Sequence, residues 1–120
     1  MVTIQIKRIY EPAAPTDGFR ILVDRLWPRG VRKEDAHIDL WAKDITPTTQ
    51  LREDYHSGHD SWPEFEFKYR AELLQNPALE AFVSTINSKE AVTLLFAGKD
   101  TEHTHVLVIL DVLKEKLQVS

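Results

Sequence analysis

The sequence has no cysteine, only four glycines, no excess of basic charge and no long apolar run. Without cysteine the chain has no disulfide, no thiolate nucleophile and no sulfur-ligated zinc site. Neither Gly-x-Gly-x-x-Gly nor a Walker-type Lys-Ser/Thr loop is present, which argues against a glycine-rich nucleotide cradle. The Gly-x-Ser-x-Gly elbow of the α/β-hydrolases is also missing. We therefore expect no cofactor.

Charge and hydropathy place the chain among small soluble domains. A formal net charge of −4 and a pI near 5.7 argue against non-specific nucleic-acid binding, which needs a basic face. No apolar stretch approaches the roughly 18 residues that span a bilayer, and the N-terminus does not resemble a signal peptide. We therefore expect a cytoplasmic protein with no membrane partner. A chain of 120 residues predicts one domain, 1–120, because each half would be too small for a core.

Three segments carry the pattern of β-strands. Thr3–Tyr10 alternates β-branched and polar residues, whereas Phe19–Arg25 and Ala91–Gly98 have continuous apolar centres. Continuous apolar runs are typical of strands that are buried on both faces of a parallel sheet. Long helical connections separate the strands, which predicts an α/β fold: a small, mainly parallel β-sheet flanked by helices.

Helix-start signals occupy the middle and the end of the chain. The clearest is Ser61 followed by Glu64, a capping box ahead of apolar residues at helical spacing. The last element has helical apolar spacing, although its segment HVLVIL alone also fits a strand. The predicted helices begin at Asp39 (a short one through Ile45), Thr46, Ser61, Asn76 and Thr101, the last with Asp100 as its N-cap.

Polar side chains lie at the end of each predicted strand. In an open parallel sheet, ligands bind outside the carboxyl ends of the strands, so these side chains are expected to share one rim. They are Lys7, Arg8 and Tyr10 at the end of the first strand, Asp24, Arg25, Trp27 and Arg29 at the end of the second, and Lys99, Asp100, Glu102, His103 and His105 at the end of the last.

Two arginines at this rim predict an anion site. Arg25 and Arg29 can hold a phosphate, sulfate or carboxylate through paired hydrogen bonds. Lys99 and the N-terminus of the last helix would assist them. Pocket-lining roles then fall to the other polar and aromatic side chains of the rim: Arg8, Tyr10, Trp27, Glu102 and His105.

A proton carrier is the second chemical candidate at the rim. His103 is the residue expected to act as general acid or base near neutral pH, and Asp24 or Asp100 would orient its ring. The same residues also have possible structural roles. Asp100 is a good helix N-cap, Asp24 and Arg25 can pair with neighbours at the sheet edge, and Trp27 packs as readily as it binds.

Metal binding is not expected from the histidine spacing. On a helix, His103 and His105 would face in different directions, and the i, i+4 pattern of helical zinc sites is absent. The two clusters considered are Glu102, His103 and His105, and His56, His59 and Asp60.

The motifs DGFRILVDRLWPRG and LLFAGKDTEHTHV, with RIYEP, DLWAKDI and FKYRAEL, resemble the domain of unknown function 488 family in its short, YeaO-like branch. The resemblance covers nearly the whole chain and implies an α/β fold. Longer relatives carry a cysteine near the last strand–helix turn, and this chain has none there. The resemblance implies no established activity.

The leading hypothesis is a protein of unknown function with an anion site for a phosphate-like ligand at the strand ends, as a small hydrolase or transferase. The alternative is a non-enzymatic binding or regulatory module whose arginine patch contacts a protein or nucleic-acid partner. A third alternative is a self-associating protein, with Trp27 and Trp41 at a homodimer contact.

Overall fold

A four-stranded parallel sheet, ordered β1-β4-β2-β3, forms the centre of the molecule. The computed structural model describes residues 1–119. The strands are β1 (Thr3–Arg8), β2 (Phe19–Leu22), β3 (Leu40–Trp41) and β4 (Ala91–Phe96). The helices are α1 (Lys33–Ala36), α2 (Thr49–His56), α3 (Trp62–Gln75), α4 (Leu79–Asn87) and α5 (His105–Lys116). The predicted α/β class is therefore confirmed.

Strand β4 lies inside the sheet and has buried apolar side chains on both faces. Leu94 and Leu95 point in opposite directions and are both fully buried, as expected for an inner strand of a parallel sheet. Leu94 belongs to the large core shared with α3, α4 and α5. Leu95 belongs to a smaller cluster with Leu22 and Ala36, on the face where α1 lies.

The helical face of the sheet carries most of the apolar core. Helix α5 contributes Val106, Ile109 and Val112, which are all buried. Helix α3 contributes Tyr69, whose ring is fully buried and whose hydroxyl donates to Ile45 O at 2.6 Å. Burial raises the pKa of the Tyr69 phenol, so it stays a neutral donor.

The opposite face has a polar centre built around Asp17. This carboxylate is 1% exposed and accepts hydrogen bonds from Lys7 Nζ at 3.0 Å, from Gln5 Nε2 and from Arg20. Thr93 of β4 donates its hydroxyl to Asp17 O at 2.7 Å. Side chains from three strands therefore meet at one residue of the β1–β2 connection.

Gly18 lets that connection approach the sheet. Its φ is +65°, and a Cβ there would lie 2.4 Å from Ala91 O. Only glycine fits this position without a shift of the backbone.

The predicted starts of the three strands are confirmed, but each strand ends two or three residues earlier than predicted. The capping box of α3 is confirmed as well, with Ser61 and Glu64 each accepting from the other's backbone N–H. Among residues 1–119, no helix is both long enough and apolar enough to cross a membrane.

The short helix predicted to begin at Asp39 is wrong. Leu40–Trp41 is a strand, paired in parallel with Ile21–Leu22. The Asp39 carboxylate accepts from Arg20 N–H at 2.9 Å, and Asp39 N–H donates to Arg20 O. Residues 39–41 thus pair with the open edge of β2 instead of forming a helix. Within the predicted helix, only Lys43–Ile45 forms a helical turn, of the 3-10 type.

Three other predicted helix starts lie too early in the chain. The helix predicted to begin at Asn76 begins at Leu79, with Ala78 as its N-cap. The N-cap of α2 is Thr48 rather than Thr46, and the N-cap of α5 is Thr104 rather than Asp100. Thr46 instead donates its hydroxyl to Lys43 O, and Asp100 accepts from backbone N–H groups two and three residues further on. Polar side chains of this kind compete with helix formation by closing local turns.

The Asp17→Asn variant tests the polar centre. Burial alone would raise the pKa of Asp17, but its hydrogen bonds with Ala14, Lys7 and Arg20 lower it below the usual value. Its charge therefore stabilises the fold above the unfolded-state pKa, and this stabilisation is lost as the pH falls through the folded-state pKa. At pH 7 we expect a loss of about 3 kcal/mol in the free energy of unfolding.

Urea unfolding of wild type and Asp17→Asn at pH 7 and at pH 3 measures this difference. The difference should shrink at the lower pH, because the wild-type carboxylate begins to take up a proton there. Equal differences at both pH values would contradict a stabilising charge at Asp17.

Candidate functional site: a cleft at the strand ends

A cleft of about 520 Å³ opens at the carboxyl ends of β2 and β4. The chain leaves β2 toward the α1 face and leaves β4 toward the α5 face. A crevice between adjacent strands is the usual consequence of such a divergence. Its lining includes Tyr10, Asp24, Arg25, Trp27, Arg29, Arg52, Tyr55, His56, Trp62, Phe65, Lys99, Asp100, His103 and His105.

The floor of the cleft lies where β2 and β4 separate. Val23 N–H still donates to Leu95 O at 3.0 Å, and regular parallel pairing would next join Ala97 N–H to Val23 O. Instead, Ala97 N–H donates to Asp24 Oδ2 at 2.8 Å. Val23 O accepts from His105 Nε2 at 2.6 Å. Two side chains therefore replace one backbone hydrogen bond, and the sheet opens there.

His105 has a fixed tautomer in this arrangement. A carbonyl oxygen only accepts, so the ring nitrogen facing Val23 O carries a proton and donates it. The same nitrogen lies 3.4 Å from Asp24 Oδ1. Asp24 O in turn accepts from Trp41 Nε1 at 2.7 Å. Asp24 and His105 thus hold the ends of three strands together.

His103 also lines the cleft, and its side chain is half exposed. Its Nδ1 is 3.4 Å from Asp100 Oδ2, and its ring centroid is 5.4 Å from that of Trp62. Backbone N–H groups of His103 and Glu102 donate to Asp100 and lower its pKa. Asp100 is therefore a carboxylate at neutral pH, beside the His103 ring.

Cations dominate the charge of the cleft. Its lining has four, Arg25, Arg29, Arg52 and Lys99, against the two carboxylates of Asp24 and Asp100. In the part of the chain that the structure describes, the side chains of Arg29, Arg52 and Lys99 have no ion-pair or hydrogen-bond partner.

Arg25 differs from the other three cations because it is anchored. Its Nε donates to Pro47 O at 3.1 Å, which leaves the terminal nitrogens of the guanidinium for another partner. The side chain is only partly exposed. It thus combines a structural hydrogen bond with two groups able to bind an anion.

An aromatic wall, made of Tyr55, Trp62 and Phe65, lines the same cleft. Trp62 and Phe65 stack at a centroid distance of 5.6 Å, and Tyr55 lies 4.9 Å from Phe65 and 5.8 Å from Trp62. Such distances are typical of aromatic pairs in protein cores. Tyr55 and Trp62 nevertheless keep part of their surface exposed.

The structure brings most of the predicted site residues together. Nine of the eleven line the cleft, and two do not: Arg8 and Glu102. Arg8 donates to Ala97 O and Gly98 O, both at 2.8 Å, behind the rim, while Glu102 is exposed. Asp24 lies beside His105 rather than His103, so only Asp100 is placed to orient the predicted proton carrier.

The part of the site that comes from α2 and α3 was not predicted from the sequence. Arg52, Tyr55 and His56 occupy positions i, i+3 and i+4, which share one face of α2, and this face lines the cleft. Trp62 follows at the start of α3. The helical spacing in the sequence shows that these side chains share one face of a helix. It does not show that this face lines the cleft, because that depends on how α2 and α3 pack against the strand ends.

Fold and site define a small α/β protein with a strand-end cleft, and comparison with known proteins places it further. Residues 3–120 match the family model described as the inactive DUF488-N3 subclade. The chain belongs to this family of domain of unknown function 488, so the resemblance found in its motifs is confirmed.

Its relatives are uncharacterised proteins. The chain is 44% identical to the uncharacterized protein YeaO of Escherichia coli K12 over 113 residues, covering 94% of this chain and 98% of that one. It is 36% identical to the uncharacterized protein Rv3073c of Mycobacterium tuberculosis H37Rv over 110 residues, covering 92% of each. No solved structure matches the chain significantly.

The Asp24→Ala variant tests the split backbone hydrogen bond. Removing the carboxylate leaves the partly buried Ala97 N–H without its acceptor, for which we expect about 2 kcal/mol less free energy of unfolding. Asp24→Asn is the matched control, because its amide oxygen still accepts from Ala97. In urea unfolding, the Asp24→Asn variant should be at most slightly less stable than wild type, and Asp24→Ala should be well below both. Equal losses in the two variants would mean that the charge of Asp24, not the hydrogen bond, matters.

A chelator experiment tests the prediction that no metal is bound. Among residues 1–119, no group of three or more histidine and carboxylate side chains is placed to hold an ion. The Tm should be the same with and without a strong chelator. A large drop on chelation would show that metal contributes to folding.

Proposed function

We propose that this protein binds a small anionic ligand, carrying a phosphate, sulfate or carboxylate group, in the strand-end cleft. The observation that carries the proposal is the excess of cations there, four against two carboxylates, in a chain whose net charge is −4. Like charges at one site repel each other, so the arrangement destabilises the ligand-free fold unless an anion screens it.

The lack of ion-pair partners at three of these cations supports a role in binding rather than a structural role. Cations placed to stabilise a fold are usually paired, as Arg70 is with Asp111 and Glu115 on α5. Within the described residues, Arg29, Arg52 and Lys99 have no such partner. Guanidinium groups bind oxyanions through two parallel hydrogen bonds, and two of these three residues supply them.

We infer binding without conversion of the ligand. Asp24 and His105 are both occupied by backbone partners at the floor of the cleft, which leaves His103 and Asp100 as an acid–base pair at its edge. The word "inactive" in the description of the family supports the same inference. A hydrolase or transferase with His103 as proton carrier is the second candidate, favoured by the contact between His103 and Asp100.

Phosphate should stabilise the protein specifically. A ligand that binds only the folded state raises the free energy of unfolding by about 1.4 kcal/mol at ten times its Kd. Phosphate should therefore raise the Tm more than chloride at equal ionic strength. Excluded-salt effects act in the same direction, so variants are needed to separate the two causes.

The double variant Arg29→Gln with Arg52→Gln removes two unpaired cations from the cleft. Its matched control, Lys114→Gln with Lys116→Gln, removes the same charge from the exposed end of α5. The benefit of phosphate over chloride should fall in the cleft variant and persist in the control. The same benefit in all three proteins would contradict an anion site in the cleft.

A further inference from the structure

The cleft is lined by two chemically distinct kinds of side chain. Its lining combines four cations with the partly exposed rings of Tyr55 and Trp62 and with the His103 ring, which lies beside Trp62. A site for a bare inorganic anion needs only the cations. We therefore expect the ligand to have a flat, apolar part as well.

Trp62 differs from the other two tryptophans of the chain. The indole N–H of Trp27 donates to Val31 O at 2.6 Å, and that of Trp41 donates to Asp24 O at 2.7 Å. In the described part of the chain, the indole N–H of Trp62 and the hydroxyl of Tyr55 have no hydrogen-bond partner, and neither is a buried unsatisfied atom. Both groups are thus open to solvent or to a ligand.

Helix α2 places one of the cations next to the aromatic wall. Arg52 and Tyr55 are one helical turn apart on the face that lines the cleft. A ligand with a ring against Trp62 and Tyr55 therefore has a guanidinium within one turn of the ring.

We propose that the ligand of this cleft is a small anion attached to a flat aromatic ring, of the class to which aryl phosphates and nucleoside monophosphates belong. The ring packs against Trp62 and Tyr55, and the anionic group lies against Arg52 and the other unpaired cations. This inference rests on the proposed anion-binding function and adds the chemistry of the rest of the ligand.

Size and charge favour a small molecule over a nucleic-acid strand. A volume of about 520 Å³ falls within the range of small-molecule sites. Proteins that bind single strands combine stacked rings with a basic groove that follows the backbone. This chain has a net charge of −4, and three of its unpaired cations, Arg29, Arg52 and Lys99, line one cleft.

Two probes of equal charge separate ring recognition from anion recognition. Phenyl phosphate and glycerol 3-phosphate both carry a phosphate monoester, and only the first has a ring. Calorimetric titration at one pH and salt concentration should give phenyl phosphate at least fivefold higher affinity, since stacking of one ring on an aromatic side chain supplies that much.

The indole N–H resonances locate the ring in the same titration. Spectra of the ¹⁵N-labelled protein contain three of them, and Trp41 is a built-in reference because it does not line the cleft. Phenyl phosphate should shift the Trp62 resonance and leave that of Trp41 in place. A shift confined to Trp41 would overturn the assignment of the ring to the aromatic wall.

Variants on α3 complete the test. Trp62→Leu should reduce the affinity for phenyl phosphate to that for glycerol 3-phosphate and leave the latter unchanged. Phe67→Leu is the matched control, because this exposed ring is on the same helix outside the cleft. It should leave both affinities unchanged.

The outcomes distinguish this inference from the proposed function. Equal affinities for the two probes, both lost in the Arg29→Gln with Arg52→Gln variant, would overturn ring recognition and leave the anion site standing. Binding of neither probe would overturn both. Tighter binding of phenyl phosphate that persists in Trp62→Leu would place the ring elsewhere and would also contradict the inference.

Discussion

One backbone hydrogen bond that the sheet does not make determines the shape of the site. Where Ala97 N–H and Val23 O would pair, Asp24 binds the donor and His105 binds the acceptor. Both backbone groups have a hydrogen-bond partner, so the opening of the sheet leaves neither of them unpaired. The chain then leaves β2 and β4 toward opposite faces, and the cleft lies between the two exits.

The strands that form the floor of the cleft are fixed relative to each other by different contacts on the two faces of the sheet. On one face, α3 and α5 cover the strands with a continuous apolar core. On the other, Asp17 joins β1, β2 and β4, because its carboxylate accepts from Lys7 and Arg20 and its backbone oxygen accepts from Thr93. Burying charges is unfavourable unless each is paired, and here the carboxylate has two cations. The strands are therefore fixed relative to each other on both faces, which keeps the cleft residues in register.

The sequence allowed the core of this arrangement to be predicted but not its periphery. The continuous apolar runs through Ile21 and Leu94 indicated parallel inner strands, and the position of Asp24, Arg25 and His103 just after them placed these residues on one rim. Local pattern did not reveal β3, because its two residues become a strand only through the free edge of β2. It also missed Arg52 and Tyr55, since their role depends on how α2 packs.

The distribution of occupied and free groups is the basis on which we propose recognition rather than chemistry at this site. The residues suited to move protons at its floor, Asp24 and His105, are engaged with the backbone, and releasing either would leave a strand-end polar group unpaired. By contrast, three cations of the cleft that can bind an oxyanion, Arg29, Arg52 and Lys99, have no ion-pair or hydrogen-bond partner among residues 1–119. A catalytic site needs its acid and base free to exchange protons with the ligand. Binding without conversion would need only the free cations and the partly exposed rings of Tyr55 and Trp62, which line this cleft.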